Sequence, residues 1–361
     1  MTVLHLLSRG DVGGIEILCR NYLNYSKNNN IVACLWGMGS IAEEMIADHH
    51  RVIDLQCSHF NIFKIVSKVI ELCDSNNIQA IIAHHSIAAL HFCLLKIKKK
   101  RPEIKLYFYA QSNATRICKA EHKILEPIQY RIIKAFYKEA NEVIAISKNV
   151  QESLKDVFGE RLSDPIIIYN GVPIDSFDKH FVDTKKIPTI IYVGRLIEEK
   201  GVQIILTALS HIECKYRFVI VGDGPYKNKL EQLSQELNIS EKIEFLGFRR
   251  DISNLLSEAD YFIHMPICQE GFGLSMVEAM AAGLVCIGSS SGAIPEIICN
   301  KKSGYIVEPN SDSLEQCLKI VLKQYGSKSE EIIRQNAIEC AKKFSFDIYV
   351  EKMDRLLNGL L

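Results

Sequence analysis

The chain has 361 residues, of which 48% are hydrophobic and 24% are charged, and its formal net charge at pH 7 is zero. This length favours two domains, and this composition excludes a disordered chain. Neither half of the chain is strongly basic, which argues against nucleic acid as a partner, because phosphate binding requires an excess of cations.

Twelve cysteines are scattered along the chain without any C-x-x-C spacing. This distribution argues against a zinc ribbon or a redox pair and indicates a reducing compartment. The first residues lack the basic and apolar regions of a signal peptide. No run of eighteen apolar residues occurs either, so we expect a cytoplasmic protein.

The first half of the chain alternates short apolar runs with amphipathic stretches, the latter at 15–26, 62–74 and 148–158. Continuous hydrophobicity within a run is typical of parallel strands that helices cover on both faces. The predicted strands of this half lie at 2–8, 30–36, 51–57, 79–85, 105–111, 142–147 and 165–171.

A polar segment with two prolines, residues 173–188, interrupts this pattern and is the predicted linker between domains at 1–172 and 189–345. The same alternation restarts after the linker. Two doubly wound domains in tandem predict a ligand cleft between the carboxyl ends of their strands. The predicted strands of the second domain lie at 189–195, 217–224, 242–248, 259–266, 284–290 and 303–309.

Two strand-end turns of the second domain carry residues suited to phosphate. In "YVGRLIEEKG", Gly194, Arg195 and Lys200 follow a strand and precede a helix, where cations and helix N–H groups favour a diphosphate. Solvated loop cations are the alternative. In "VGDGP", Gly222 permits close backbone approach. A complete G-x-G-x-x-G is absent, which argues against a nicotinamide dinucleotide site.

The segment "QEGFGLSMVEAMAAG" combines a glycine turn with two carboxylates. Glu270 lies in the turn that faces the predicted cleft, and we expect the helix to begin near Gly273 or Leu274. The N–H groups of Phe272, Gly273 and Leu274 suit an anion. Glu278 follows more than one helical turn later, where its carboxylate could accept hydrogen bonds from two ribose hydroxyls. The alternatives are that Glu270 is an ordinary loop charge and that Glu278 lies on a solvated face of the helix.

The segment "EGFGLSMVEAMAAGLVCIGSSSGAIPEII" resembles the donor signature of the retaining glycosyltransferases of family four. The family's Glu-x₇-Glu pattern matches Glu270 and Glu278, and its Gly-Arg…Lys-Gly pair matches 194–201. Its Gly-Gly loop matches Gly13 and Gly14. The match extends over nearly the whole chain. It implies an α/β fold of GT-B architecture, with two Rossmann-like doubly wound domains facing a central cleft.

The resemblance also implies residue roles. Arg195 and Lys200 would hold the diphosphate as it leaves, Glu278 the ribose and Glu270 the hydroxyls of the donor sugar. No metal or other cofactor is expected, because two cations and a helix terminus can offset the charge of the leaving group.

The resemblance assigns the first domain to the acceptor side. The turn at Gly13 and Gly14 would let this domain approach the phosphates and the acceptor. Asn170, in the interdomain turn "YNGV", would help to set domain closure. A C-terminal helix at about 346–361 is expected to pack back on the first domain.

One position departs from the family pattern. The family often has a histidine at the end of the strand predicted at 105–111, but this chain has Gln111 there. A glutamine can donate and accept hydrogen bonds but cannot take a proton at neutral pH, so a general base at this position is in doubt. His84 and His85 follow an earlier strand, and ordinary loop histidines are the alternative for both.

Residues 91–139 contain twelve Lys+Arg against four Asp+Glu. A segment this basic indicates either a solvated face or peripheral attachment to an anionic membrane, to which each cation contributes on the order of 1 kcal/mol.

The implied activity is retaining, metal-independent transfer of a hexose from a nucleoside-diphosphate sugar, with a UDP-sugar favoured. The acceptor would be a hydroxyl of a glycan or lipid-linked glycan in surface polysaccharide synthesis. Two alternatives stay open: a sugar-nucleotide epimerase of similar fold, and a catalytically idle subunit that binds a nucleotide sugar.

Overall fold

The computed structural model describes residues 1–11, 13–57, 62–84, 88–114, 126–159, 164–177 and 186–361. The chain divides into two compact units. The first unit comprises Met1–Gly171 together with Asp347–Leu361, and the second comprises Val172–Phe346. Of the predicted linker, residues 178–185 lie outside the described part of the chain, and a short 3-10 turn occupies Ile174–Ser176.

The first unit contains a seven-stranded parallel sheet with the order β3-β2-β1-β4-β5-β6-β7. All seven predicted strands of this half are confirmed. The strands are β1 Thr2–Leu7, β2 Asn29–Cys34, β3 Arg51–Asp54, β4 Ala80–Ala83, β5 Lys105–Ala110, β6 Glu142–Ala145 and β7 Ile166–Ile167. The helices that follow them are α1 Gly14–Tyr25, α2 Ser40–Ala47, α3 Ile62–Asn76, α4 Ala88–Lys100, α5 Glu126–Glu139 and α6 Lys148–Phe158.

The central strands of this sheet are buried on both faces, which is why their sequences are apolar without alternation. Leu4, Val32, Ile82 and Phe108 are all fully buried. Helices that pack on both sides of a parallel sheet leave its carboxyl edge open, so the loops after the strands are available for ligands.

The second unit contains a six-stranded sheet with the order β10-β9-β8-β11-β12-β13. The six strands predicted here are also confirmed, and all of them pair in parallel. They are β8 Thr189–Val193, β9 Arg217–Val221, β10 Ile243–Gly247, β11 Tyr261–His264, β12 Val285–Ser289 and β13 Tyr305–Val307. The helices are α7 Val202–Ser210, α8 Lys227–Glu236, α9 Ile252–Ser257, α10 Leu274–Ala281, α11 Ile294–Ile297, α12 Ser311–Lys323 and α13 Lys328–Ala341.

The core of the second unit lies between the sheet and helices α7, α8 and α12. Tyr192, Leu206, Phe218, Ile263 and Leu318 belong to one buried cluster there. Short 3-10 turns at Glu198–Lys200, Ser240–Lys242 and Lys342–Phe344 complete the unit.

The last helix, α14 Phe346–Leu357, contributes to the first unit. It is attached there through Asp354, whose carboxylate accepts several hydrogen bonds from α1 and the loop after it. The donors are Tyr22 Oη (2.5 Å), Ser26 Oγ (2.8 Å), Lys27 N (3.0 Å) and Asn28 Nδ2 (3.0 Å). These contacts join the end of the chain to its beginning. No helix of the described residues is both long enough and apolar enough to cross a membrane.

Candidate active site

The candidate site in the second unit lies at the switch point of its sheet, where chain order reverses between β8 and β11. These two strands are neighbours and run parallel, so the loops after them leave the same edge side by side. The loop after β8 carries Gly194, Arg195 and Lys200, and the loop after β11 carries Glu270. A backbone hydrogen bond from Ile267 N to Glu199 O (2.9 Å) holds the loops together.

Lys200 and Glu270 form an ion pair at the centre of this site. Lys200 Nζ lies 2.5 Å from Glu270 Oε2, and their side chains are only 19% and 14% exposed. His264, the last residue of β11, is buried and lies with Nε2 3.2 Å from the same oxygen. Since both contacts fall on Oε2, Oε1 of Glu270 has no hydrogen-bond partner in the described residues and can accept one from a ligand.

The local electrostatics keep Glu270 ionised. Burial acts to raise the pKa of Glu270, but the hydrogen bond from His264 and the charge of Lys200 outweigh it and hold that pKa well below its usual range. Burial also lowers the pKa of His264, although Glu270 partly opposes this effect. A neutral imidazole beside a carboxylate must donate from Nε2, so His264 orients Glu270 without adding charge.

Glycines allow these loops to approach one another closely. Gly201 has φ = +72°, and a Cβ there would overlap the carbonyl oxygen of Met265. Gly292 has φ = +62° and packs against the backbone of Glu270. Ala293 N also donates to Glu270 O at 2.9 Å. The Glu270 backbone is therefore held from the loop after β12, which limits the positions its carboxylate can reach.

The helix after Glu270 begins at Leu274, as predicted, and Gly273 precedes it with φ = +102°. A left-handed residue at this position favours glycine, because side chains other than glycine are strained there. Met276 N is the first helical amide bonded to Gly273 O, at 3.0 Å. The amides that precede it face the start of the helix, where an anion is favoured. Phe272 is buried and packs edge-on against Phe344, with ring centroids 5.4 Å apart.

Two further predicted residues, Arg195 and Glu278, have ionisable side chains without an ion-pair partner among the described residues. The Arg195 side chain is exposed, and its guanidinium forms no ion pair within the described ranges. Glu278 is partly buried on α10, and burial raises the pKa of its carboxyl to about 7. No described side chain compensates Glu278 by a hydrogen bond or an ion pair. A carboxyl that is unpaired and desolvated, as that of Glu278 is, is typical of a binding site, because a ligand can supply the missing partner.

Gly222 lies on the neighbouring strand-end turn. It has φ = +133°, and a Cβ there would overlap the carbonyl oxygen of Gly194. The two turns are also connected by the hydrogen bond from Leu196 N to Asp223 O (2.9 Å). The structure therefore brings Gly194, Arg195, Lys200, Gly222 and Glu270 into adjoining loops, whereas Glu278 lies on the helix that follows Glu270.

The remaining predicted site residues belong to the first unit. Gly13 precedes α1 and leaves room for the carboxylate of Glu16, while Gly14 is exposed at the first helical position. Gln111 and Asn170 are in contact, with Asn170 Nδ2 donating to Gln111 Oε1 at 3.2 Å.

Of the two histidines that follow β4, the structure describes only His84. His84 is buried, and its Nε2 lies 3.0 Å from Nδ1 of His5. The second histidine, His85, lies outside the described residues. The contact with His5 is of the ordinary structural kind that the sequence left open for His84.

Two models of known families match this chain, and together they extend over residues 12–340. The model described as Glycosyltransferase Family 4 matches residues 12–176, and the model described as Glycosyl transferases group 1 matches residues 174–340. The chain belongs to the group 1 glycosyltransferases. The part matched by the group 1 model contains Arg195, Lys200, Glu270 and Glu278.

Curated relatives of this group 1 chain include an uncharacterized glycosyltransferase of Methanocaldococcus jannaschii, 31% identical over 226 residues, which are 58% of this chain and 57% of that protein. The gpi3 subunit of the phosphatidylinositol N-acetylglucosaminyltransferase of Schizosaccharomyces pombe is 25% identical over 279 residues, 74% of this chain and 57% of that subunit. The chain thus spans somewhat more than half the length of these relatives.

Solved structures share the fold along the whole chain. Anabaena HepE in complex with UDP superposes with a TM-score of 0.86 at 21% identity, with 100% of each chain covered. A glycosyltransferase from Rickettsia africae superposes with a TM-score of 0.83 at 20% identity, covering 99% of this chain and 98% of that one. The group 1 chain therefore has the GT-B fold, with two Rossmann-like α/β units.

Sequence reasoning did not find His264. It is the last residue of an apolar strand, and no periodicity distinguishes such a histidine from a core residue. Its position at the end of a strand could have identified His264, since a polar residue that ends a buried parallel strand lies next to the loops where ligands bind.

One group of described side chains in the first unit could approach a shared metal ion: His5, Cys19 and His84, with ligand atoms within 4.8 Å of one another. Hydrogen bonds already account for this arrangement, because His5 bonds to His84 through Nδ1 and to Asn30 Oδ1 through Nε2 (3.0 Å). A buried thiol also binds metal only after losing a proton, and burial raises the pKa of Cys19 far above its usual range.

The raised pKa of Glu278 leads to a prediction for Glu278→Gln. The carboxyl of Glu278 has a folded pKa of about 7, above its unfolded value near 4.3, so between these pH values it takes up a proton on folding. Its stabilising contribution is complete below the unfolded pKa and is lost as the pH rises through 7. The glutamine variant should therefore melt about 2–4 °C above the wild type at pH 8.5, the effect of roughly 1 kcal/mol.

The difference should disappear at pH 4.5, because the wild-type carboxyl is then protonated in the folded state. Melting curves of both proteins at several pH values measure it. An equal difference at every pH would contradict the role of ionisation.

Proposed function

We propose that this chain is a retaining glycosyltransferase that moves a hexose from a nucleoside-diphosphate sugar to an acceptor hydroxyl. The observation that carries the proposal is the pair Lys200–Glu270, held 2.5 Å apart beside the start of α10, with Glu270 Oε1 open to a ligand. Such a pair places a cation for phosphate next to an acceptor for sugar hydroxyls, and both occur in the unit that the group 1 family model matches.

In this proposal Lys200 acts on the diphosphate. An ammonium has three N–H donors, and the contact with Glu270 uses one of them, so two remain for phosphate oxygens. Arg195 is exposed and adds a second cation. The amides before Met276 add the partial positive charge of a helix N-terminus. Together these groups stabilise the negative charge that develops on the departing diphosphate.

Two carboxylates position the rest of the donor. Glu270 accepts a hydrogen bond from a hydroxyl of the donor sugar through Oε1. His264 and Lys200 keep the Glu270 carboxylate ionised, which this contact requires. Glu278 accepts hydrogen bonds from the hydroxyls of the ribose. Because its pKa lies near 7, donor binding at that pH should favour the ionised carboxylate and release a proton.

UDP is the proposed nucleotide. Anabaena HepE, which shares the fold, was solved with UDP and with UDP-glucose. A glycan or lipid-linked glycan is the proposed acceptor, supported by a Campylobacter jejuni relative whose name describes transfer of N-acetylgalactosamine to a diphospho-undecaprenol-linked sugar. That relative is 28% identical over 59% of this chain and 59% of its own length. We propose surface polysaccharide synthesis as the setting for such an acceptor, and a cytoplasmic location because the scattered cysteines indicate a reducing compartment.

We also propose peripheral attachment to anionic membranes through residues 91–139, of which 115–125 lie outside the described residues. Helices α4 and α5 pack together and present exposed cations, including Lys96, Lys99, Arg131 and Lys138. Ile128 is 56% exposed on α5. Exposed cations near an apolar side chain favour a lipid surface. Sedimentation with vesicles of phosphatidylcholine, with and without anionic phosphatidylglycerol, tests this; equal binding to both would contradict it.

A release assay tests the transferase. Purified protein is given UDP-, GDP- and ADP-sugars with and without EDTA, and free nucleoside diphosphate is followed over time. We expect release from one donor at a rate that EDTA does not change, because the site supplies its own cations. The two alternatives predict other outcomes: an epimerase converts the sugar nucleotide without releasing diphosphate, and an idle subunit binds it without any turnover. Loss of release with EDTA would overturn metal independence.

A further inference from the structure

An open cavity of about 380 Å³ lies between the loops that follow β8 and β11 in the second unit. Glu199, on its wall, directly precedes Lys200, and Cys268 lies two positions before Glu270. The cavity therefore adjoins the groups proposed for the donor, but its described walls are made of other residues. These are Ile197, Glu198, Glu199, Ile267 and Cys268.

Two serines hold the wall that the loop after β11 provides. Ser289, fully buried at the end of β12, donates from Oγ to Pro266 O at 2.9 Å. Ser291 Oγ donates to Cys268 O at 2.7 Å. On its other side the same loop is joined to the loop after β8 by the backbone hydrogen bond from Ile267 N. A wall that is fixed on both sides before a ligand arrives lowers the entropy cost of binding.

The cavity combines apolar and acidic side chains. Ile267 is 49% exposed although its backbone is fixed, and Ile197 is partly exposed on the other loop. Glu198 and Glu199 are exposed, and their carboxylates form no ion pair or hydrogen bond with any described residue. Aliphatic side chains can pack against the C–H groups of a sugar ring, and carboxylates accept hydrogen bonds from its hydroxyls.

The charge of this cavity is opposite to that of the groups proposed for the diphosphate. Arg195 and Lys200 are cations, whereas the ionisable carboxyls of the cavity, Glu198 and Glu199, are acidic. An anion bound between two carboxylates would meet only like charge, which discriminates against phosphate. The cavity therefore favours an uncharged ligand that carries hydroxyls.

The sugars of the donor are already assigned to other carboxylates. In the proposed function Glu270 contacts the transferred sugar and Glu278 contacts the ribose. The remaining hydroxyl-bearing ring of the reaction is that of the acceptor. A cavity in the same two loops as Lys200 and Glu270 is suitably placed for it.

We propose that this cavity binds the terminal sugar ring of the acceptor, with Ile197 and Ile267 against its C–H groups and Glu198 and Glu199 accepting hydrogen bonds from its hydroxyls. The inference rests on the proposed transferase function and adds a substrate class to it, namely an acceptor whose terminal ring is uncharged. The phosphates of a lipid-linked acceptor then lie outside the cavity. The second unit thereby contributes to acceptor binding as well as to donor binding.

Simple glycosides test this assignment. The protein is given the UDP-sugar that the wild type hydrolyses, together with methyl glycosides of glucose, galactose, N-acetylglucosamine and N-acetylgalactosamine. Hydrolysis yields UDP and the free sugar, whereas transfer yields UDP and a glycoside extended by one sugar, so mass spectrometry distinguishes the two. At least one glycoside should be extended. Its 6-phosphate should compete with it about tenfold more weakly or worse, because phosphate is repelled by the two carboxylates.

Variants of the cavity separate acceptor binding from donor binding. Glu198→Ala combined with Glu199→Ala should raise the KM for the glycoside about tenfold or more, because hydrogen bonds to charged acceptors are lost. The corresponding double glutamine variant keeps the acceptor oxygens, so it should lose less affinity and discriminate less against the 6-phosphate. Ile267→Ala should raise the same KM about threefold, since it removes apolar contact area.

The control is Glu213→Ala, which removes an exposed carboxylate from the loop before β9, at the opposite edge of the same sheet. It should leave the KM for the glycoside and the KM for the UDP-sugar unchanged. All the substituted cavity side chains are exposed, and the backbone hydrogen bond between Ile267 N and Glu199 O does not depend on them. The variants should therefore fold, which circular dichroism checks.

The possible results separate this inference from the proposed function. A wild-type protein that hydrolyses a UDP-sugar but extends none of the glycosides would overturn the acceptor cavity while the donor assignment stands. Equal increases of the KM for the UDP-sugar and for the glycoside in the double alanine variant would also overturn it, because the cavity would then belong to the donor site. A wild-type protein that neither binds nor hydrolyses any sugar nucleotide would overturn the transferase assignment itself.

Discussion

Replacing Glu270 with alanine should lower turnover by about 10²–10³-fold, the effect typical of removing one preorganised electrostatic group from an active site. The physical reason is specific to this site. Glu270 holds Lys200 at 2.5 Å and offers its second oxygen to the substrate, so the substitution removes a hydroxyl acceptor and releases the ammonium from its position. His264 would also lose its hydrogen-bond partner at Nε2. The measurement is diphosphate release by both proteins at saturating donor.

Two companions make this result interpretable. Glu270→Gln keeps the shape and one oxygen but loses the charge that attracts Lys200, so its turnover should lie between those of alanine and wild type. Glu236→Ala is the control, because it removes an exposed carboxylate from α8 in the same unit. Circular dichroism should show that all variants are folded. Near-normal turnover by a folded Glu270→Ala protein would remove Glu270 from the site.

The second large effect concerns a buried ion pair on α13. Arg334 donates to Glu330 Oε1 through Nε (3.1 Å) and a terminal nitrogen (2.5 Å), and Tyr261 donates to Glu330 Oε2 (2.8 Å). Both charged side chains are only 3% exposed. Glu330→Ala should lower the free energy of unfolding by about 3–5 kcal/mol, because it leaves an uncompensated charge in the interior.

The matched control is Glu351→Ala, which breaks the exposed pair of the same i,i+4 spacing between Glu351 and Arg355. That change should cost about 1 kcal/mol or less, since exposed pairs are screened by solvent. Calorimetric or urea unfolding of the three proteins compares the effects. If Glu330→Ala costs no more than the control, the buried pair is not important for stability.

The buried pair also contacts the region of the candidate site. Arg334 donates to Gly283 O at 3.1 Å, just after the end of α10, and α13 packs on α10. Since α10 carries Glu278 and begins next to Glu270, loss of this support should also affect the donor-binding loops. A destabilised Glu330 variant is therefore expected to bind UDP more weakly, although Glu330 is far along the chain from both carboxylates.

Much of the fold could be predicted because it depends on local patterns. Strands buried on both faces are continuous apolar runs, and all thirteen were identified from this property. The start of α10 at Leu274 followed from a glycine turn before a helical period. The pairing of Glu330 with Arg334 was not predicted, because an i,i+4 pair has the same sequence pattern on a solvated face as in the interior.

The sequence by itself determined the two βα series, the glycine turns and the identity of the charged residues after each strand, since these depend on neighbours within a few positions. Only the tertiary structure decided that Lys200 and His264 share one oxygen of Glu270, and that Tyr109, Asn170 and Gln111 form one series of hydrogen bonds. Strand order brings these groups together. It depends on contacts between distant parts of the chain, which no local pattern specifies.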